Sequence, residues 1–378
     1  MTLIVQKFGG TSVSTPERRF QVMEKVIKEK AAGNDVVVVV SAMGRRGDPY
    51  ATDTFLDMLK EVYPKASKRT KDLLASCGEV ISACILAESL VARGYPACPL
   101  TGFQAGITTD DAFTNGIVES VDASRLRAVL AQGAVAVVAG FQGLNPEKDI
   151  VTLGRGGSDT TAIALGGALE ADEVIIFTDV PGIAYTDPRI IPSAPFLSSV
   201  DFEPIHILSQ VGARVIHHRA VETAIKFNRP FWVRSTFNDD PGTLVGKKGE
   251  APGGLYGIAL LKDVLLATRD QDSAGEMRRL SCNQWFYRRH PLRTAVILEK
   301  SREEEAPAGC RVQEVSVITL QRDPAAGINP VTVAEAFDSA HIDRKAYFEV
   351  GDGGAWAVEP GRAKDAILAL YRAPLQKI

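Results

Sequence analysis

Residues 35–40 read Asp-Val-Val-Val-Val-Val and run on into Ser-Ala-Met-Gly. Five consecutive valines cannot alternate between core and solvent, so a strand made of them must be covered on both faces. Branching at Cβ also favours the extended backbone. Such a strand belongs inside a parallel sheet with helices on either side. Runs of the same style recur at 3–8 (LIVQKF), 134–143 (AVAVVAGFQG), 172–180 (DEVIIFTDV) and 230–236 (PFWVRST). Amphipathic patterns between them predict helices. One opens at Ser14 or Thr15, with Pro16 and Glu17 in its first turn and Phe20, Met23, Val26 and Ile27 on one face. Others cover roughly 70–93 and 160–170. Strand and helix alternate over roughly the first 245 residues, which predicts an α/β sheet sandwiched between helices.

The texture then changes. Residues 239–258 are rich in Gly, Pro and Lys and read as a linker. Beyond them, 255–270 and 312–323 read as strands and 329–342 as a helix. KAYFEV and AWAVEP form a hairpin around GDGG, and GRAKDAILALYRA closes as a helix, giving a βαββα module. The segment 273–311 is poorly patterned; in it, Trp285-Phe286-Tyr287 reads as a partly buried strand with solvated arginines. A chain of 378 residues suits two or three domains, here 1–248 and 249–378.

Charge and composition exclude some classes of function. Lys and Arg number 43 against 46 Asp and Glu, so a basic nucleic-acid surface is not expected. The apolar runs are too short for a membrane span, and no secretory pattern is visible at the N-terminus. Five cysteines without a CxxC pair read as reduced thiols in a cytoplasm. Cys77 and Cys84, seven residues apart on one helix face, read as core packing.

Three stretches carry chemistry. In Lys7-Phe8-Gly9-Gly10-Thr11-Ser12, a lysine closes a strand, glycines bare their backbone amides, and a helix start follows. That is the make-up of a phosphate cradle, and it lacks the GK[ST] order of a Walker loop. In TLGRGGSDTTA (152–162), Gly156 and Gly157 can expose amides and Arg155 suits a two-pronged grip on a carboxylate. Ser158 or Asp159 can cap the helix there. In FTDVPGIAYTDPR (177–189), Thr178 and Asp179 close a strand, Tyr185 offers a ring and Arg189 a charge. A nucleotide base could lie there with Arg189 on phosphate; a turn-rich connection is the other reading.

In order along residues 2 to about 245, KFGGTSV, SAMG, TLGRGGSDTTA and TDVPG…TDPR resemble the aspartate kinases of the amino-acid kinase family. GDPYATD (47–53) is similar to a loop carried by one bacterial subtype. The resemblance implies a three-layer αβα architecture around an open, largely parallel sheet, with the amino acid taken by the N-terminal lobe and ATP by the C-terminal lobe. It implies that Lys7, Gly9, Gly10 and Ser12 meet the phosphates and that Thr52 contacts the amino acid. Glu79 would receive its ammonium, Arg155 its α-carboxylate with Ser158 beside it, and Asp159 would orient Lys7. Thr178, Asp179, Tyr185 and Arg189 would form the nucleotide pocket. VIHHRAVE (215–222) departs from the family's LHPRAVE: His218 stands in place of proline, while His217 and Arg219 keep the pattern.

The implied reaction is attack of the aspartate β-carboxylate on the γ-phosphorus of ATP with Mg²⁺, giving 4-phospho-L-aspartate at the entry to lysine, threonine and methionine synthesis. No protein metal cage is expected, since no His or Cys cluster has ligand spacing. Residues 255–378 resemble, more weakly, two ACT-type α+β modules: a degenerate one at about 255–310 and a better-kept one at about 311–378. The likeness implies a homodimer through these modules and leaves open feedback by an amino-acid effector, although the loop RDPAAGINPV departs from the usual effector loop. Two rival readings stand beside the aspartate kinase. One is a related kinase for a different amino acid or carboxylate; the other is a catalytically idle amino-acid-sensing subunit.

Overall fold

A computed structural model describes residues 2–213, 215–246, 254–270, 274–282, 286–290, 293–306, 308–324 and 330–375. The chain forms two compact units, Met1–Ile183 with Ile216–Lys247, and Ala184–Val215 with Lys248–Ile378. Trp285, residues 247–253 of the expected linker and residues 325–329 of the loop RDPAAGINPV lie outside the described residues.

In the first unit the main sheet runs in the spatial order Thr243–Val245, Phe231–Ser235, Glu173–Thr178, Leu3–Phe8, Asp35–Val40, Val135–Ala139, Ala97–Leu100. All these neighbours pair in parallel except Thr243–Val245, which runs antiparallel to Phe231–Ser235. The valine strand sits between two parallel partners, and Val36 to Val40 are all 0% exposed. Val36, Val38 and Val40 pack with Val22, Met23 and Val26 of helix Pro16–Ala31 and with Leu86 and Leu90 of helix Cys77–Val91. The pleat turns Val37 and Val39 to the opposite face. There helix Gly157–Leu169 lies so close that a Cβ on Gly166 would stand 2.2 Å from Val174 Cγ2. Covering five valines contributes on the order of 10 kcal/mol as an upper bound.

Helix Pro16–Ala31 starts as expected: the Thr15 side chain accepts from the Arg18 amide and Pro16 opens the first turn. Its Phe20, however, is 45% exposed, with the Arg93 guanidinium 4.3 Å from the ring centroid. The expected helix at 70–93 is two helices, Lys68–Ala75 and Cys77–Val91, meeting at Ser76. Its buried stripe is Gly78, Glu79, Ser82, Ala83, Leu86, Ala87 and Leu90, so Cys77 and Cys84 lie on the opposite, exposed side. The shared face was read correctly and its direction was not, because spacing alone does not say which face meets the sheet. The run Lys68–Val91 is long enough, and apolar enough over 18 of its residues, to cross a membrane, yet half of that apolar stretch is buried inside the fold and the run holds the buried carboxylates Asp72 and Glu79. A small second sheet joins Val118–Val121, Ile107–Thr109, Gln142–Leu144 and Ile150–Thr152, and it leads the chain into Arg155.

The second unit is built on a six-stranded antiparallel sheet in the order Tyr287–His290, Arg293–Glu299, Leu255–Arg269, Arg311–Arg322, Gly353–Val358, Arg344–Val350. Its last part is the expected βαββα: strand Arg311–Arg322, helix Pro330–Ser339, the hairpin Arg344–Val350 with Gly353–Val358, and helix Ala363–Leu375. The unpatterned segment supplies helix Ala274–Leu280 and two strands. Phe286 is wholly buried rather than partly so, and its ring meets Phe348 edge-on at 5.9 Å.

Candidate active site

In an open parallel sheet, ligands gather beyond the carboxyl ends of the strands. Three adjacent strands, Leu3–Phe8, Asp35–Val40 and Val135–Ala139, end together here. Lys7 shares a strand face with Val5, toward helix Gly157–Leu169, and that helix carries Asp159 in its first turn. The pleat therefore brings the two charges together: Lys7 Nζ stands 2.6 Å from Asp159 Oδ1, both side chains about nine-tenths buried.

The glycine loop wraps this ammonium. A Cβ on Gly9 would lie 3.5 Å from Lys7 Nζ. One on Gly10 would fall 2.6 Å from the carbonyl oxygen of Ala42 and 2.8 Å from that of Gly44, so only glycine fits between the two loops. The Gly44 amide donates back to the Gly10 carbonyl at 3.0 Å. Ser12 Oγ pairs with Thr236 Oγ1 at 2.7 Å, a buried contact, and the Thr236 amide donates to Thr178 O at 2.8 Å. The Ser12 hydroxyl thus ties the cradle to the end of the neighbouring strand. Arg45 arches over the loop: its Nε donates to Thr11 Oγ1 at 3.1 Å and its Nη2 to Asp179 Oδ2 at 3.3 Å. Thr178 Oγ1 donates to the other Asp179 oxygen.

Glu79 lies behind the same strand ends, 2% exposed. Its Oε1 accepts from the Ala42 amide at 3.0 Å, while Oε2 has no hydrogen-bond partner among the described residues. Burial pushes this carboxyl up to about 8, against the opposing pull of the Ala42 amide. Gly78 presses against Ala42 and the Tyr50 carbonyl, where a Cβ would stand 2.7 Å and 2.9 Å away. That seats the start of the glutamate's helix on the loop entering helix Thr52–Val62, with Thr52 half-buried at its first position.

The third group forms around 154–159. Gly154 and Gly156 take φ of +72° and +73°, a left-handed pair that turns the chain into helix Gly157–Leu169 and leaves Arg155 exposed between them. Gly156 is the N-cap and no side chain caps the helix, so neither Ser158 nor Asp159 has the capping role. Ser158 is 7% exposed and packs on Gly140, where a Cβ would stand 2.8 Å from its own; Asp159 turns to Lys7. His217 lies against Gly156 and accepts from the Arg219 amide; burial, aided by His218 and Arg219, pulls its imidazole down to about 4, so the ring is neutral. Helix His218–Lys226 starts at His218, so the histidine occupies a first-turn position that proline favours, and the helix start survives the exchange. Arg219 donates to the carbonyls of Leu153, Asn115 and Gly116, pinning the loop from outside.

Lys7, Gly9, Gly10, Ser12, Glu79, Ser158 and Asp159 are therefore drawn together by the three strand ends, with Thr178 and Asp179 joined through Thr236 and Arg45. Tyr185 and Arg189 belong to the second unit. The Tyr185 ring is 4% exposed, and burial with Tyr371 pushes its hydroxyl up to about 12, so it presents no open face on which a base could stack. Arg189 holds Asp187 through Nε and Nη2. Sequence reasoning missed Arg45, Asp72 and Thr236. None of the three stood out, since Asp72 lies among the polar residues Lys68, Arg69, Thr70 and Lys71.

Residues 2–235 match the model of the amino acid kinase family. The aspartokinase of Geobacillus stearothermophilus is 46% identical over 245 residues, 65% of this chain and 59% of that protein. Aspartokinase 1 of Bacillus subtilis is 45% identical over 271 residues, 70% of this chain and 67% of that protein. The chain thus spans about three-fifths to two-thirds of these relatives. The solved structure of E. coli aspartokinase III in complex with aspartate and ADP superposes with a TM-score of 0.78 at 22% identity, covering 98% of this chain and 99% of that one.

Proposed function

Because the chain belongs to the amino acid kinase family, we propose that it transfers the γ-phosphoryl group of ATP to the β-carboxylate of L-aspartate, forming 4-phospho-L-aspartate. The observation that carries this reading is Glu79: a wholly buried carboxylate with one unpartnered oxygen, behind the strand ends that bear a cationic glycine cradle. A buried acid in that state calls for a cation, and the α-ammonium of an amino acid fits. Arg155, with Ser158 beside it, would receive the α-carboxylate, and Thr52 would contact the amino acid. The names of the relatives favour aspartate among amino acids.

A carboxylate attacks without a general base. One of its oxygens forms a bond to the γ-phosphorus as the bond to the bridging oxygen breaks, and ADP leaves with that electron pair. Catalysis then rests on alignment and on neutralising the phosphoryl oxygens. Lys7 supplies the charge, Asp159 aims it, and the amides after Gly9 supply hydrogen bonds. Thr178 and Asp179 flank the nucleotide side. Mg²⁺ held on the phosphates would neutralise charge there while keeping most of its water. Among the described residues no three His, Cys, Asp or Glu converge, and a cation delivered on a triphosphate requires no such cage. We read residues 1–248 as the catalytic region of a cytoplasmic enzyme, of which Ala184–Val215 fold within the second unit. Residues 249–378 are read as two ACT-like modules through which it dimerises, with feedback by an amino-acid effector left open.

Trapping the acyl phosphate with hydroxylamine, in the presence of ATP and Mg²⁺, tests the reading across a panel of amino acids and simple carboxylic acids. Hydroxamate from aspartate is expected. Hydroxamate only from another acid moves the specificity, and none from any acid overturns the assignment as a kinase of carboxylates.

A further inference from the structure

Asp72 is a buried carboxylate that the phosphoryl-transfer chemistry does not use. It sits in helix Lys68–Ala75, 1% exposed. Its Oδ2 accepts from the Thr114 amide at 2.8 Å and from the Thr152 amide at 2.9 Å; its Oδ1 accepts from Thr152 Oγ1 at 2.8 Å. Three donors converge on one side chain, and they come from two segments far from it in sequence.

Both segments lead to the Arg155 end of the amino-acid site, while the helix of Asp72 itself leads to the Glu79 end. Thr152 closes strand Ile150–Thr152, immediately before the left-handed turn that carries Arg155. Thr114 opens the loop whose Asn115 and Gly116 carbonyls, with that of Leu153, are taken by Arg219. The Gly116 amide also donates to Thr152 O at 2.9 Å. On its other side, Asp72 is joined through the Ser76 break to the first turn of helix Cys77–Val91, where Glu79 lies. The Ser76 carbonyl accepts from Gln142 Nε2 at 3.0 Å, a second tie between that break and the small sheet.

We infer that Asp72 is a positioning residue that sets the separation between Glu79 and Arg155, the groups assigned to the ammonium and the α-carboxylate of the substrate. The inference rests on the reading given under Proposed function. Asp72 touches neither group. It acts by pinning the helix that holds one to the strand that holds the other. A carboxylate suits the task because it accepts three donors at once and offers none. Misplacing a clamp by about an ångström is enough to weaken it strongly.

The test compares the full unaltered chain with Asp72→Asn, Asp72→Ala and Thr152→Val, reading KM for aspartate, KM for ATP, kcat and Tm. Asparagine can turn its oxygen to the two amides and donate its Nδ2 to Thr152 Oγ1, so Asp72→Asn is expected within about threefold of the unaltered chain. Asp72→Ala is expected to raise KM for aspartate on the order of 30-fold, with KM for ATP moved less than about threefold. Thr152→Val removes only the hydroxyl and is expected to raise KM for aspartate roughly three- to tenfold. A folded Asp72→Ala protein with unchanged KM for aspartate overturns the inference, and so does an equal rise in both KM values. If Asp72→Ala does not fold, Thr152→Val decides by the same criterion. Absence of turnover in the unaltered chain is failure of the substrate reading and is seen first. Turnover that Asp72→Ala leaves undisturbed is failure of this inference alone.

Discussion

Lys7 Nζ and Asp159 Oδ1 are 2.6 Å apart, one from the end of a central strand and the other from the first turn of the helix packed on that strand's face. The pairing aims the ammonium along the glycine loop. It also leaves Asp159 dependent on Lys7, since a buried carboxylate deprived of its partner is costly. Function and stability can therefore be separated. Lys7→Met is expected to lower kcat by at least about 100-fold and to cost up to about 3 kcal/mol of stability. Adding Asp159→Asn should restore the stability and none of the turnover. Urea midpoints beside kcat check this, and recovery of activity in the double variant would remove Lys7 from the chemistry.

Arg155 stands exposed between two left-handed glycines, and we assign it to the α-carboxylate of the substrate. Arg155→Ala should raise KM for aspartate on the order of 100-fold, the loss expected for a two-pronged charged contact, with little change in KM for ATP. Steady-state kinetics with each substrate varied gives the answer; equal effects on both would count against the assignment.

Burial pushes the Glu79 carboxyl up to about 8 from an ordinary 4.5. The folded chain thus holds a proton that the unfolded chain has released between those values. The stability it contributes is present in full below about 4.5 and is lost as pH rises through about 8. Binding an ammonium requires that proton to leave. KM for aspartate should therefore fall about tenfold per pH unit from pH 6 toward 8 and level off above it. Glu79→Gln should abolish this slope and weaken aspartate binding at every pH. A slope that persists in Glu79→Gln assigns the titration to another group.

Gly10 fits between the carbonyls of Ala42 and Gly44 with no room for a methyl group. Both neighbours are backbone and cannot turn aside. Gly10→Ala should force the cradle away from the Ala42 loop, lowering kcat more than tenfold and raising KM for ATP. The same exchange at Gly33, where no atom lies within 4 Å of the added carbon, is the control for lost glycine flexibility, although its φ of +83° brings some strain. Equal, mild effects at both positions would refute the steric account.

What could be read from the chain alone was whatever local pattern dictates. The valine run gave a strand covered on both faces, and Lys7-Phe8-Gly9-Gly10 gave a cationic loop at a strand end, because both depend on side chains adjacent in sequence. Contacts closed by the tertiary fold were hidden. Asp159 could have capped its helix, and only the packing of that helix on Val5 and Val174 turns it to Lys7. Phe286 lies in a stretch without periodicity and is anchored by Phe348 from another strand. Arg45 sits in a polar loop and gains meaning only where the loop folds back to Thr11 and Asp179. Tyr185 shows that an aromatic near a turn says nothing of whether its ring is open or covered.

The outward face of helix Cys77–Val91 offers a vantage on the centre. Cys77 is exposed two positions before the buried Glu79, and the two side chains leave the helix on opposite sides. A fluorophore attached to that thiol would ride on the turn assigned to the amino acid's ammonium, on the side of the helix away from Glu79. Ligand arrival could then be followed optically, with no turnover.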